Sequence, residues 1–151
     1  MAKKADADDA KLVLRLYDMR REAEMRKARA WYAGSFWPKN ADDYIKIATA
    51  FSIPENAWLR QVLSYWDMCA ALVLHGTINE ALYADTCGEM WFMFSKISPF
   101  IKEVRTKMET PELLLRVEKV ATGTKVGKDR LKKMEARMKA WGETFAGPER
   151  T

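Results

Sequence analysis

The chain has 151 residues and a mass of 17.4 kDa, and 48% of its residues are hydrophobic while 31% are charged. This length and composition predict a single domain spanning 1–151 and exclude a disordered chain. Five prolines and seven glycines are too few for the many tight turns of a β-sandwich or barrel. Two cysteines cannot build a disulfide framework, which is typical of a protein from a reducing compartment.

The first residues include three aspartates where a secretory signal would be apolar. The longest nearly apolar run, 68–74, is far short of the roughly 20 residues that span a bilayer. We therefore expect a cytoplasmic protein with no membrane span. The net charge is +5, and the basic excess lies in 1–34 and 122–151, on either side of a slightly acidic middle. Such basic ends are compatible with simple solubilising charge, an acidic protein partner or nucleic acid.

Residues 9–33 contain no glycine or proline and predict one long amphipathic helix, with arginines mostly off its apolar stripe. Asn40 followed by Asp43 indicates the N-cap of a short second helix that ends near position 51. Pro54 starts a third helix that reaches about His75 and stops at Gly76. Because 66–74 is apolar on nearly every face, this third helix should be central.

The second half of the chain carries four further helix signals. A Thr77–Glu80 capping box predicts a fourth helix that contains Gly88, and Ser98-Pro99 predicts a kink or a new start. Thr110-Pro111-Glu112 predicts the N-cap of a helix that ends near Gly123. A basic amphipathic stretch then runs from Lys128 to about Thr144 and is closed by Gly147-Pro148. The predicted fold is all-α, a compact bundle of five to seven helices. Its basic last helix, about 128–146, could be part of the bundle or peripheral to it.

The potential for catalysis or metal binding is small. The only histidine, His75, excludes a di-iron bundle with two Glu-x-x-His motifs, and no Cys-x-x-Cys pair is available for zinc. Asp85 and Glu89 would share a helical face, and with Asp67 they are the candidates for an enzyme. We interpret Asp67 and His75 as buried structural polar residues, with Asp67 paired to an arginine of the first helix or to Arg105. The sequence therefore predicts no catalytic residue, cofactor or metal.

Aromatic residues are the most unusual feature, since the chain has six tryptophans, six phenylalanines and five tyrosines. They lie on every face of the 91–94 segment, and others lie in the loop after the first helix. One interface between helices should therefore not be able to bury all of them. Protein interfaces are enriched in such residues. The candidate partner-binding residues are Trp31, Phe36, Trp37, Trp91 and Phe94.

The run from Tyr65 to Glu80, followed by Gly88, Trp91 and 101–105, resembles an uncharacterised family of short all-helical bacterial proteins, known only as a domain of unknown function. The shared pattern is an acid in an apolar helix, a turn of Gly, a hydrophobe and an acid, and an aromatic helix that ends in arginine. Many members of that family carry an N-terminal membrane segment, which the charged first helix here does not match. The resemblance implies the helical fold and no activity.

These observations favour a non-enzymatic protein-interaction module, either a homodimer or a small subunit of a larger complex. A nucleic-acid-binding regulator that uses the basic first and last helices is the alternative. An enzyme using the three acidic residues is the third hypothesis.

Overall fold

The computed structural model describes residues 3–145. These residues form nine α-helices and one short 3-10 turn, and they contain no strand. The helices are α1 Ala7–Arg20, α2 Ala23–Gly34, α3 Ala41–Ala48, α4 Pro54–Leu74, α5 Glu80–Thr86, α6 Glu89–Ser95, α7 Ile101–Lys107, α8 Leu115–Thr122 and α9 Lys125–Phe145, and the 3-10 turn is Ser98–Phe100. The all-α class is confirmed, whereas the expected five to seven helices are too few.

The long first helix is the clearest error in the sequence-based prediction. It is interrupted at Arg21 and Glu22, so that α1 and α2 are separate helices. The Glu22 carboxylate accepts hydrogen bonds from the backbone N–H groups of Glu24 at 3.1 Å and Met25 at 3.0 Å, and thereby caps α2. Glutamate is not among the preferred N-cap residues, and neither glycine nor proline marks the break.

The next two helices begin where their capping signals predict. The Asn40 side chain accepts from the Asp43 N–H at the start of α3, and Pro54 is at the first position of α4. Helix α4 ends at His75, followed by Gly76 in the left-handed region at φ +74°. It packs against α2, α3 and α8, which confirms its central position.

Three later sequence patterns predict helix starts or extents that differ from those in the structure. Asn79, and not Thr77, caps α5. Helix α5 ends at Thr86, and Gly88 precedes a separate helix, α6. Residues 111–114 form a turn, and α8 starts only after Leu114, which has φ +52°. Of these three helices, only α5 is capped by the side chain of a neighbouring residue, since the N-cap positions of α6 and α8 have no side-chain cap hydrogen bond.

Helix α9 packs against α6 and α8. Its buried face includes Leu131 and Met138, and the Trp91 indole N–H donates to the Gly127 carbonyl at 3.2 Å. The Thr124 hydroxyl accepts from the Gly127 N–H, so α9 starts three residues before the predicted Lys128. The last helix is therefore packed on the bundle. The predicted stop at Gly147-Pro148 lies outside the described residues.

Candidate binding surfaces around helix α9

Most of the aromatic residues predicted to bind a partner are in the core. Phe36, Trp91 and Phe94 are only 4%, 2% and 1% exposed. Trp31 is half-buried and lies against Phe36, with ring centroids 5.0 Å apart. The buried apolar side chains of the described residues form one core cluster that includes Phe36, Trp91 and Phe94, so most of the aromatic residues predicted to exceed the capacity of the core are inside it.

Trp37, like Trp31, is half-buried, and it lies in the loop between α2 and α3. The Lys96 ammonium lies 3.6 Å from the centroid of its ring. Trp37 therefore separates a buried cation from the surface, and it also lines a cavity beside α9.

Asp85 and Glu89, expected to share one helical face, lie on different helices. Asp85 is exposed on α5, which ends at Thr86, and Glu89 is the first residue of α6. Glu89 accepts two hydrogen bonds from Arg29, both at 2.8 Å. The expected i,i+4 arrangement of the two carboxylates on one helix is therefore not found.

Asp67 is largely shielded, but its arginine is not one of those predicted. Its carboxylate accepts from Arg116 at 2.8 Å and from the backbone N–H of Val117 at 3.3 Å. Both residues lie in the first turn of α8, whose own N-cap position, Leu114, has no hydrogen-bonding side chain. Asp67 therefore caps α8 from the neighbouring helix and balances the positive end of its dipole.

His75 is exposed at the end of α4, which corrects its prediction as a buried residue. Both cysteines are free and buried, and burial raises the pKa of the Cys69 thiol to about 12. A thiol that stays protonated at neutral pH is a poor nucleophile. Within residues 3–145, no cluster of three histidine, cysteine or acidic side chains is placed to hold a metal ion.

One surface of α9 combines positive charge with exposed apolar groups. Five residues at spacings of four, three, four and four share a helical face, and we call them the α9 stripe: Val126, Arg130, Lys133, Arg137 and Trp141. Val126 is 70% exposed and Trp141 is 44% exposed, at opposite ends of the stripe. The stripe is about 22 Å long at 1.5 Å per residue.

The cations of α9 are not neutralised by nearby acids. Six of them are exposed, and none forms an ion pair with another described residue: Lys125, Lys128, Lys132, Lys133, Arg137 and Lys139. In the first two helices Lys11 pairs with Asp8 at 3.2 Å, Lys27 pairs with Glu24 at 3.0 Å, and Arg20 is buried. Arg15, Arg21 and Arg26 are exposed there and form no ion pair with a described residue. Helix α9 therefore has more exposed cations without ion pairs than the first two helices together.

The opposite flank of α9 lines a cavity of about 950 Å³, which we call the Trp37 cavity. Its other walls come from the loop after α2 and from the end of α6 with the 3-10 turn. The lining is apolar at Trp37, Pro38, Pro99, Phe100 and Met138, and it is charged at Lys39, Lys96, Lys139, Glu135 and Glu143.

Lys96 is the most unusual residue near the cavity. It is 5% exposed, and its ammonium donates to the carbonyls of Tyr32 at 2.6 Å, Phe36 at 2.8 Å and Ala33 at 3.2 Å. These carbonyls belong to the end of α2 and the following loop, so Lys96 acts as a C-cap supplied by α6. Burial lowers the pKa of Lys96 to about 7. Sequence reasoning missed this residue, although a single lysine between Trp91 and Phe100 in an otherwise apolar run was a signal.

Comparison with known families identifies the core of this fold. A model for a domain of unknown function, DUF4760, matches residues 5–124. The chain belongs to this family. That confirms the predicted resemblance to an uncharacterised family, and the match ends one residue before α9 begins.

No curated protein and no solved structure matches the chain. In the part of the chain that the structure describes, no helix is both long and apolar enough to cross a bilayer.

Proposed function

We propose that this DUF4760 protein is a non-enzymatic binding module that holds an acidic partner protein against the α9 stripe. The observation that carries the proposal is the pair of exposed stripe cations, Lys133 and Arg137, which form no ion pair with a described residue and lie between the exposed Val126 and Trp141. Charged and polar groups across interfaces are arranged in complementary pairs, and aromatic and arginine residues anchor them.

Charge also bears on the kind of partner. In a two-fold homodimer built on the stripe, each stripe would face its own copy, so cations would oppose cations. The net charge of +5 adds to this repulsion. The stripe therefore favours a different protein within a larger complex over the homodimer.

Nucleic acid is the alternative function. It depends on the first and last helices together, but Lys11, Arg20 and Lys27 in the first two helices are paired or buried. Of the described residues of the first two helices, only Arg15, Arg21 and Arg26 are exposed cations without an ion pair, against six in α9. The argument for a phosphate-binding surface is correspondingly weaker than the argument for a compact acidic patch.

Fluorescence anisotropy can test the proposal. The probe is a labelled amphipathic peptide rich in glutamate, leucine and phenylalanine, and the comparison is a single-stranded oligonucleotide of equal charge. The double variant Lys133→Gln/Arg137→Gln should weaken peptide binding by about tenfold, since each contact charge contributes roughly 0.5–1 kcal/mol. The control Arg26→Gln/Lys27→Gln removes the same charge from α2 and should leave the affinity nearly unchanged.

If both double variants weaken peptide binding equally, only net charge matters, and the proposed role of the α9 stripe is refuted. Tighter binding of the oligonucleotide, with an affinity that falls steeply as salt rises, would establish the alternative function.

A further inference from the structure

The Trp37 cavity is a second feature of the molecule, and its flank of α9 is not the one that carries the α9 stripe. Its volume of about 950 Å³ falls within the range of roughly 300–1,000 Å³ that is typical of small-molecule sites. Three separate parts of the fold form its walls: the loop after α2, the end of α6 with the 3-10 turn, and α9. A closed packing of these elements would have left no such space.

The cavity wall is suited to an apolar, flat ligand. Trp37 and Phe100 contribute aromatic surface, Met138 contributes a flexible apolar side chain, and two prolines stiffen the edges. The Trp37 indole is held in place, because its N–H donates to the Gly34 carbonyl at 3.2 Å and one face of its ring is close to Lys96. A fixed aromatic wall loses little entropy when it binds a ligand.

Charge at the cavity is positive. Lys39 and Lys139 are exposed at its rim and form no ion pair with any described residue, and Lys96 lies in its wall. Of the two acids, Glu135 accepts a hydrogen bond from the Ser98 hydroxyl at 2.8 Å, and Glu143 is exposed to solvent. Below about pH 7, where Lys96 carries its proton, three cations against two acids favour an anion over a cation, and the charge of the buried Lys96 is weakly screened.

We propose that the Trp37 cavity binds a small organic anion, whose aromatic body packs against Trp37 and Phe100 while its carboxylate or sulfonate faces Lys39 and Lys139. Lys96 contributes its field from behind Trp37 and keeps its hydrogen bonds to the end of α2. No covalent step is involved. The site does not depend on the α9 stripe or on the partner proposed for it.

The test uses three ligands with the same naphthalene body: naphthalenesulfonate, the neutral naphthylmethanol and the cation naphthylmethylammonium. Binding to the full chain is measured by calorimetry, and the shift of the Trp37 indole N–H resonance, assigned with Trp37→Phe, locates the ligand. The sulfonate should bind at least about fivefold more tightly than the alcohol, and the ammonium more weakly than both.

Matched lysine variants then locate the charge. Lys139→Gln should weaken binding of the sulfonate about threefold and leave binding of the alcohol unchanged. Lys128 is an exposed lysine of the same helix outside the cavity, and Lys128→Gln should change the binding of neither ligand. Lys133→Gln/Arg137→Gln should also leave ligand binding intact, which separates this site from the α9 stripe. The proposal is overturned if no ligand binds saturably, if the alcohol or the ammonium binds as tightly as the sulfonate, or if Lys128→Gln acts like Lys139→Gln.

Discussion

Lys96 gives the sharpest prediction about stability, because its buried ammonium links folding to pH. Burial lowers its pKa from 10.5 to about 7 in the folded chain. Between these two pH values the unfolded chain binds more protons than the folded chain, so the free energy of unfolding rises with pH. Integrated from about pH 7 to pH 9.5, this single group contributes an increase of about 3 kcal/mol.

The assay is urea denaturation at about pH 7 and at pH 9.5 for the wild-type chain and for Lys96→Met. Methionine keeps much of the side-chain volume but has no titrating group. The wild-type chain should gain about 3 kcal/mol more than the variant on going to the higher pH. The window stops below pH 10, because burial raises the pKa of Tyr44 to about 12 and its ionisation would favour the unfolded chain above that point. An identical pH dependence in both proteins would refute the reasoning.

Three further predictions concern residues within helices. Gly127→Ala should destabilise the fold by about 1–3 kcal/mol in thermal unfolding, since its Cβ would lie 2.5 Å from the Ala121 carbonyl oxygen. Gly142→Ala on the same helix should stabilise by about 0.5–1 kcal/mol, because its Cβ would make an ordinary contact with Trp37 at 3.5 Å, and a Gly142 variant less stable than wild type would contradict this. Asp67→Ala should cost about 1–2 kcal/mol, less than a fully buried pair, and Asp67→Asn should recover part of the loss by still accepting a hydrogen bond from α8; equal loss in both would argue against the capping role.

The sequence predicted the fold where the cap of a helix lies next to it in the chain. Asn40 and Pro54 mark the starts of α3 and α4, and Gly76 follows the end of α4. The 3.6-residue periodicity also identified the central helix, since α4 is apolar all round and is packed on several sides.

It missed two local caps, Glu22 of α2 and Asn79 of α5, and every cap that comes from a distant residue. Lys96 donates to the carbonyls at the end of α2, and Asp67 accepts from the first turn of α8. Asn56 donates to the carbonyls of Ile47 and Ala48, both at 3.0 Å, at the end of α3. Such partners are 8 to 64 residues away from the groups they satisfy, so local motifs cannot indicate them.

The same limitation explains the errors about the candidate site. An aromatic residue in a sequence has the same appearance whether it fills the core or faces a partner. Helix α9 packs closely on Trp91 but leaves a cavity beside Trp37. Trp91 is covered because the start of α9 packs on it, with the Arg130 guanidinium carbon 4.7 Å from its ring centroid. Trp37 stays accessible because the later part of α9 leaves a cavity beside it.

Helix α9 therefore determines both candidate surfaces, although the family match ends at residue 124. Its buried face attaches to the DUF4760 core through Trp91, and that attachment fixes how far Met138 and Lys139 stand from Trp37 and Phe100. Its outer face carries cations that no described acid neutralises. Because one rigid helix supplies both, a change that detaches its first turn, such as Gly127→Ala, should weaken binding at the Trp37 cavity and at the α9 stripe together, whereas charge variants should affect them one at a time.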